Sequence, residues 1–154
     1  MTNTMDFSRV LKLFSAEMSI DEKVYWLLRI SVALCFIGHG AFAFIIDDGK
    51  MGKAAWLAFY QPFGLDPELV YRFFLIPLVG MADMLVAFAV LFVPMRCVWA
   101  WAAFWCIFTA FLRPLTGQGI SEVFERGGNY GPPLALMVYC GLHVRSIKDW
   151  FSLL

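Results

Sequence analysis

The sequence predicts an all-α membrane protein: a four-transmembrane-helix bundle with an N-terminal amphipathic interfacial helix. Three observations carry that expectation. Of 154 residues, 61% are hydrophobic and only 16% charged, against roughly 45–50% and about 25% in soluble globular chains. A chain this short has too little interior to hide that surplus from water, and its mean hydropathy is +0.72. Finally, the apolar residues gather into stretches near the 20 or so needed to cross about 30 Å of hydrocarbon. Lipid is therefore the solvent that much of this surface requires. Lys plus Arg and Asp plus Glu number twelve each, so no basic excess exists to hold nucleic acid.

Residues 1–22 form the first segment. Phe7, Val10, Leu11, Phe14 and Met18 fall on one helical face, with Arg9, Lys12 and Glu17 on the remainder, the pattern of a helix lying on a membrane surface. Charges throughout this stretch argue against a cleaved signal. Residues 23–154 form a single transmembrane domain. Its first span runs from about Val24 to Ile46, interrupted by Arg29 and His39. The second runs from about Leu69 to Val93 and carries Arg72 and Asp83. The third starts after Pro94 and stops at Arg113-Pro114. The fourth opens at Pro132-Pro133, a first-turn signature, and needs to continue to about Phe151.

With the N-terminus inside, the inner segments carry seven basic residues against five outside, which favours N-in and C-in. Gly80, Asp83, Met84 and Ala87 share one face of the second span, as do Arg29, Ala33, Phe36, Gly40 and Ala43 of the first. Such small residues let helix backbones approach where lipid supplies no hydrophobic drive.

Ionisable side chains in hydrocarbon cost about 2.5–3.5 kcal/mol each on insertion scales, so each needs a reason. At 1.5 Å of rise per residue, Asp83 and His143 fall in the inner half, with Arg29 nearer the inner face. His39, in Gly38-His39-Gly40, falls in the outer third near Arg72, Arg113 and the third loop with Glu122, Glu125, Arg126 and Asn129. The inner group reads either as an Asp–His or Asp–Arg pair that locks helix register, or as a proton relay facing a quinone pocket. The third loop reads either as a connector held by Arg–Glu pairs or as a lid sharing Arg113, Glu122 and Asn129 with His39.

No metal site is expected. Cys35 with His39 and Cys140 with His143 each share a helical face, but on antiparallel helices the cysteines come level while the histidines diverge, so four ligands at roughly 2.0–2.3 Å do not converge. Haem held by His39 and His143 fails likewise, the rings differing by about 8–10 Å in depth. The chain has no P-loop, G-x-G-x-x-G, H-E-x-x-H or G-x-S-x-G motif. The cysteines form no C-x-x-C pair and read as small hydrophobes.

Leu28-Arg29-Ile30 with Phe36-Ile37-Gly38-His39-Gly40, then Gly80 with Asp83, then Arg96, then Phe124-Glu125-Arg126-Gly127-Gly128-Asn129-Tyr130-Gly131-Pro132-Pro133-Leu134 together resemble the DoxX-like family of small four-helix bacterial membrane proteins over about residues 24–150. Many members of that family carry Glu where this chain has Asp83. The resemblance implies a multi-pass protein of the bacterial cytoplasmic (inner) membrane, linked in some relatives to quinone-reducing oxidoreductases and in others to anchoring of oxidative-stress complexes.

Two functions follow as expectations. One is the membrane subunit of a quinone-linked oxidoreductase, with His39, Asp83 and His143 in catalytic roles and Arg29, Arg72, Arg113, Glu122 and Asn129 binding substrate. Its cofactor is a quinone, and a soluble or membrane redox partner supplies electrons. The other is a non-catalytic scaffold or small-solute carrier subunit that assembles into homo-oligomers or larger complexes.

Overall fold

The computed structural model describes residues 18–44, 57, 60–141 and 146–153, so residues 1–17, on which most of the expected interfacial helix falls, lie outside it. The described residues are helical and contain no strand. α1 spans Ile20–Phe44 and begins four residues before the expected Val24. A capping box sets that start: the Glu22 amide donates to Ser19 Oγ at 3.3 Å, while Glu22 Oε2 accepts from the Ser19 amide at 3.2 Å and the Ser19 hydroxyl at 3.0 Å.

The second rod is three segments run together: α2 (Pro67–Val70), a π-helix π1 (Tyr71–Met81) and α3 (Ala82–Phe92). Asp66 caps it, its Oδ1 accepting from the amides of Glu68 at 2.8 Å and Leu69 at 3.1 Å. Pro77 lies inside π1, where its missing N–H disturbs the ordinary helical ladder. The amide of Ala82 reaches back to the Pro77 carbonyl, the wider winding typical of a π-helix. The rod ends before Pro94, and α4 spans Arg96–Leu115.

α5 (Ser121–Glu125) and α6 (Gly127–Tyr139) form the fourth rod, with Arg126 as the turn between them. This differs from the expected start at Pro132-Pro133. Both prolines lie inside α6, because Ser121 onward is already helical and the chain enters them from a preformed turn. The helix stops where Gly141 takes φ 79°, a left-handed conformation that favours glycine at a helix C-terminus. A separate short helix, α7 (Lys148–Phe151), follows. His143 lies outside the described residues.

Ile20–Phe44, Leu75–Phe92 and Arg96–Leu115 are each long and apolar enough to cross a membrane. α6, with 13 residues, is by itself too short. α1 packs on the second rod and on α6, while α4 packs chiefly on α6. Their shared core holds Trp26, Phe36, Val90, Trp99, Cys106 and Leu136, and Trp105 bridges it to a smaller cluster of Ala43, Leu75 and Val79. The outward faces are apolar as well: Leu34, Leu85, Phe88, Phe104 and Phe111 are all exposed. A face of that kind suits hydrocarbon and not water.

α1 and the second rod cross backbone to backbone. A Cβ placed on Gly40 would lie 2.9 Å from the Gly80 carbonyl oxygen and 3.3 Å from Asp83 Cβ, and one on Gly80 would lie 2.6 Å from Phe44 Cζ. Glycine at both positions permits this approach, which brings Asp83 directly against α1.

Candidate functional site: a polar line through the bundle

Arg29 is fully buried, at 0% exposure, and it is engaged at every side of its guanidinium. Its Nε donates to the Val90 carbonyl at 2.9 Å and its Nη2 to the Leu91 carbonyl. Those carbonyls belong to the last turn of α3, where an α-helix has no intrahelical donors left and carries partial negative charge. The rings of Trp26, Tyr25 and Trp99 enclose the cation at 4.4, 5.2 and 5.8 Å. A desolvated cation gains about 2 kcal/mol or more from such a ring face. Arg29 therefore caps a helix, and its hydrogen bonds go to the carbonyls of that helix end, where the sequence offered Asp83 as a partner.

Arg96 acts in the same way at the start of α4. It donates to the carbonyls of Cys140 at 3.0 Å and Gly141 at 3.2 Å, the end of α6, and to Asp149 at 3.2 Å in α7. Two arginines thus close the C-terminal ends of two rods, α3 and α6.

Asp83 is the second buried charged residue, at 1% exposure, and its environment is different. Its Oδ2 has no hydrogen-bond partner among the described residues, and neither has the Nε1 of Trp105. The indole of Trp105 is the carboxyl's nearest hydrogen-bonding neighbour and the thiol of Cys35 lies close by, but Oδ2 and Nε1 do not meet the geometry of an ordinary hydrogen bond. Cys106 is buried in the main core cluster and Cys35 packs against that cluster. The centre of the bundle therefore gathers a carboxyl, an indole N–H and two thiols.

The outer end of the same face carries charge. His39 lies one helical turn above Cys35 on α1, half-buried, within reach of the charges of Arg126 and Arg113. Arg126 acts on Cys35 as well. Arg113 donates to Gln118 Oε1 at 2.9 Å and pairs with Glu122 at 3.4 Å, both side chains largely screened from solvent. The charges that act on His39 are those of Arg126 and Arg113, and Glu122 is tied to Arg113.

The other two expected binders are Arg72 and Asn129. Arg72 is exposed and pairs with Glu68 at 2.8 Å, one turn away on its own helix, which leaves it on the outer surface of the second rod. Asn129 sits in the first turn of α6, its amide donating to the Arg126 carbonyl at 2.8 Å. Among the described residues no three or more His, Cys, Asp or Glu side chains group as metal ligands.

Sequence reasoning found Asp83 and His39 through the cost of placing them in hydrocarbon. It passed over Cys106 and Trp105, whose letters are ordinary in an apolar helix. Only the Cys35–His39 spacing of four pointed towards the thiols. No family model matches this chain, and neither a curated protein nor a solved structure matches it.

Proposed function

We infer that this chain is the membrane subunit of a quinone-linked redox system, as its resemblance to DoxX-like proteins implies. The observation that carries the reading is Asp83, a carboxyl buried in the bundle core with Oδ2 unpartnered beside the unpartnered Nε1–H of Trp105. A buried polar group without a partner costs about 1–3 kcal/mol, and an ionisable one inside a membrane is a functional site by default. An indole donor and an acceptor oxygen side by side match, respectively, the carbonyl of a quinone and the hydroxyl of the quinol it becomes.

In this reading the fourth rod crosses the membrane together with the other three. The run from Ser121 to Tyr139 measures about 28 Å at 1.5 Å per residue, and arginines tie both its ends to α4, Arg113 to Glu122 and Arg96 to Cys140. Both termini lie on the cytoplasmic side, and residues 1–22 rest on the inner membrane surface. The Arg113–Glu122–Arg126 cluster with His39 marks the opposite mouth.

A bound quinone supplies a two-electron, two-proton acceptor. Trp105 Nε1–H orients its carbonyl, Asp83 holds and passes a proton at Oδ2, and His39 with the outer cluster connects that carboxyl to the aqueous side. A redox partner, soluble or in the membrane, delivers the electrons.

A photoreactive quinone tests the reading in protein purified in mild detergent. The expected result is saturable labelling of peptides containing Asp83 or Trp105, competed by unlabelled quinone. Labelling that does not saturate, or that spreads evenly over lipid-facing peptides, would contradict it.

A second reading, a non-catalytic scaffold, draws support from Arg29 and Arg96, since both are committed to holding rods together. It leaves Asp83 without a purpose.

A further inference from the structure

The rods of the bundle are not equally closed against one another. α1 packs on the second rod and on α6, and α4 packs on α6. α1 and the second rod cross so closely that a Cβ on Gly40 would lie 2.9 Å from the Gly80 carbonyl oxygen, which leaves no passage there. Between the second rod and α4 the arrangement is looser. α4 meets α3, but among the described residues its backbone and that of π1 stand largely apart.

A side chain fills that seam. Trp105, on α4, packs against the cluster of Ala43, Leu75 and Val79, the last two on π1, and against the main core as well. Its two sides meet different surroundings. Nε1 is buried without a hydrogen-bond partner, and Asp83, itself buried with Oδ2 unpartnered, is its neighbour. The residue as a whole is partly exposed, and its ring stacks on Trp101 at 5.9 Å and on Phe108 at 5.8 Å. Phe104 lies 5.7 Å from the Trp101 ring and 5.8 Å from the Phe108 ring. Trp101, Phe104 and Phe108 are all exposed on the outward face of α4. One indole therefore stands between the buried carboxyl and the apolar exterior. A change of rotamer moves such a barrier without breaking a backbone hydrogen bond.

The outer end offers a poorer entrance for an apolar molecule. Arg113 is held there by Gln118 at 2.9 Å and Glu122 at 3.4 Å, and a hydrocarbon chain passing this group would strip water from its charges.

We propose that the ligand of the Asp83 site enters sideways from the bilayer, through the seam between π1 and α4 that Trp105 fills, and that it is a flat ring carrying a long apolar tail. The inference rests on the quinone reading for the ring and adds the route and the tail. The ring passes Trp105 to reach Asp83 Oδ2, and aromatic faces along the way offer it offset stacking. The tail stays behind in hydrocarbon, against Trp101, Phe104 and Phe108, where it needs no polar partner. A charged or tailless ligand has no use for this entrance.

The experiment uses the full wild-type chain in phosphatidylcholine nanodiscs and two photoreactive analogues of decylubiquinone. One carries an azide on the ring, the other a diazirine at the end of the decyl tail, and fragmentation of the labelled peptides locates each adduct. The ring probe is expected on Asp83 or Trp105 and the tail probe on Trp101, Phe104 or Phe108, with both labels lost when excess unlabelled decylubiquinone is added. A competed ring label on Asp83 or Trp105 with a competed tail label between Arg113 and Arg126 would overturn the sideways route and leave the quinone site standing. A competed ring label with a tail label that unlabelled quinone does not displace would overturn the seat on α4 and likewise spare the quinone site. Absence of any competed ring label would overturn the quinone site itself, and the route to it as well.

Discussion

Arg29 donates its Nε hydrogen to the carbonyl oxygen of Val90 at 2.9 Å, which joins the middle of one membrane helix to the last turn of the next. The adjoining bond to Leu91 makes the grip two-pronged. A guanidinium presents its donors in a fixed planar fork, and a lysine ammonium does not. That fork fixes α1 against the end of α3.

Arg29→Ala removes two charge-assisted bonds and leaves two carbonyls in the aromatic enclosure without donors. A loss of about 2–6 kcal/mol is expected, about 1–3 kcal/mol for each of the two buried carbonyls left without a donor. Arg29→Lys should recover less than half of it. Helicity followed by circular dichroism against temperature in detergent checks both, and wild-type melting in either variant would contradict the capping role.

Two neighbouring glycines make a matched pair. Gly40→Ala drives a methyl to within 2.9 Å of the Gly80 carbonyl oxygen, whereas nothing lies within 4 Å of the same methyl on Gly38. Gly40→Ala should cost about 1–3 kcal/mol through forced separation of the rods. Gly38→Ala should be neutral or stabilise by up to about 1 kcal/mol through better helix propensity. The same melting experiment reads both.

The remaining arginines should rank by what they hold. Arg96→Ala frees carbonyls at the end of α6 and should cost about 1–3 kcal/mol. Glu122→Gln weakens a partly screened pair and should cost less than about 1 kcal/mol. Arg72→Ala should leave stability within about 0.5 kcal/mol, since its pair with Glu68 is exposed. Denaturation by a graded harsh detergent gives the order, and Arg72→Ala proving more damaging than Arg96→Ala would contradict it.

The helical character, with three helices long and apolar enough to cross a membrane, was legible because hydropathy and length are written directly in the letters. The cost of a charge in hydrocarbon likewise singled out Arg29 and Asp83, yet it did not reveal what Arg29 bonds to. Its true partners are backbone carbonyls at a helix end, and carbonyls are present at every residue, so no letter marks them. The fourth rod shows a related limit. Pro132-Pro133 looks like a helix start, but Ser121–Glu125 had already begun the rod and Gly141 ends it at φ 79°. Ser19-Ile20-Asp21-Glu22 was a readable capping box that the hydropathy boundary at Val24 obscured. The grouping of Asp83, Trp105, Cys35 and Cys106 depends on the register between three rods, which no single stretch of sequence contains.

The central claim is that Asp83 remains unpartnered in order to meet a quinone, and one measurement separates that from a structural role. Wild type and Asp83→Asn are melted in mild detergent with and without a short-chain quinone at about 100 times its dissociation constant. Ligand binding at that excess stabilises the native state by about 2.7 kcal/mol. The account predicts that wild type gains a clear upward shift, while Asp83→Asn starts at an equal or higher melting temperature and gains none. Asp83→Asn melting well below wild type, with both proteins responding equally to quinone, would contradict it.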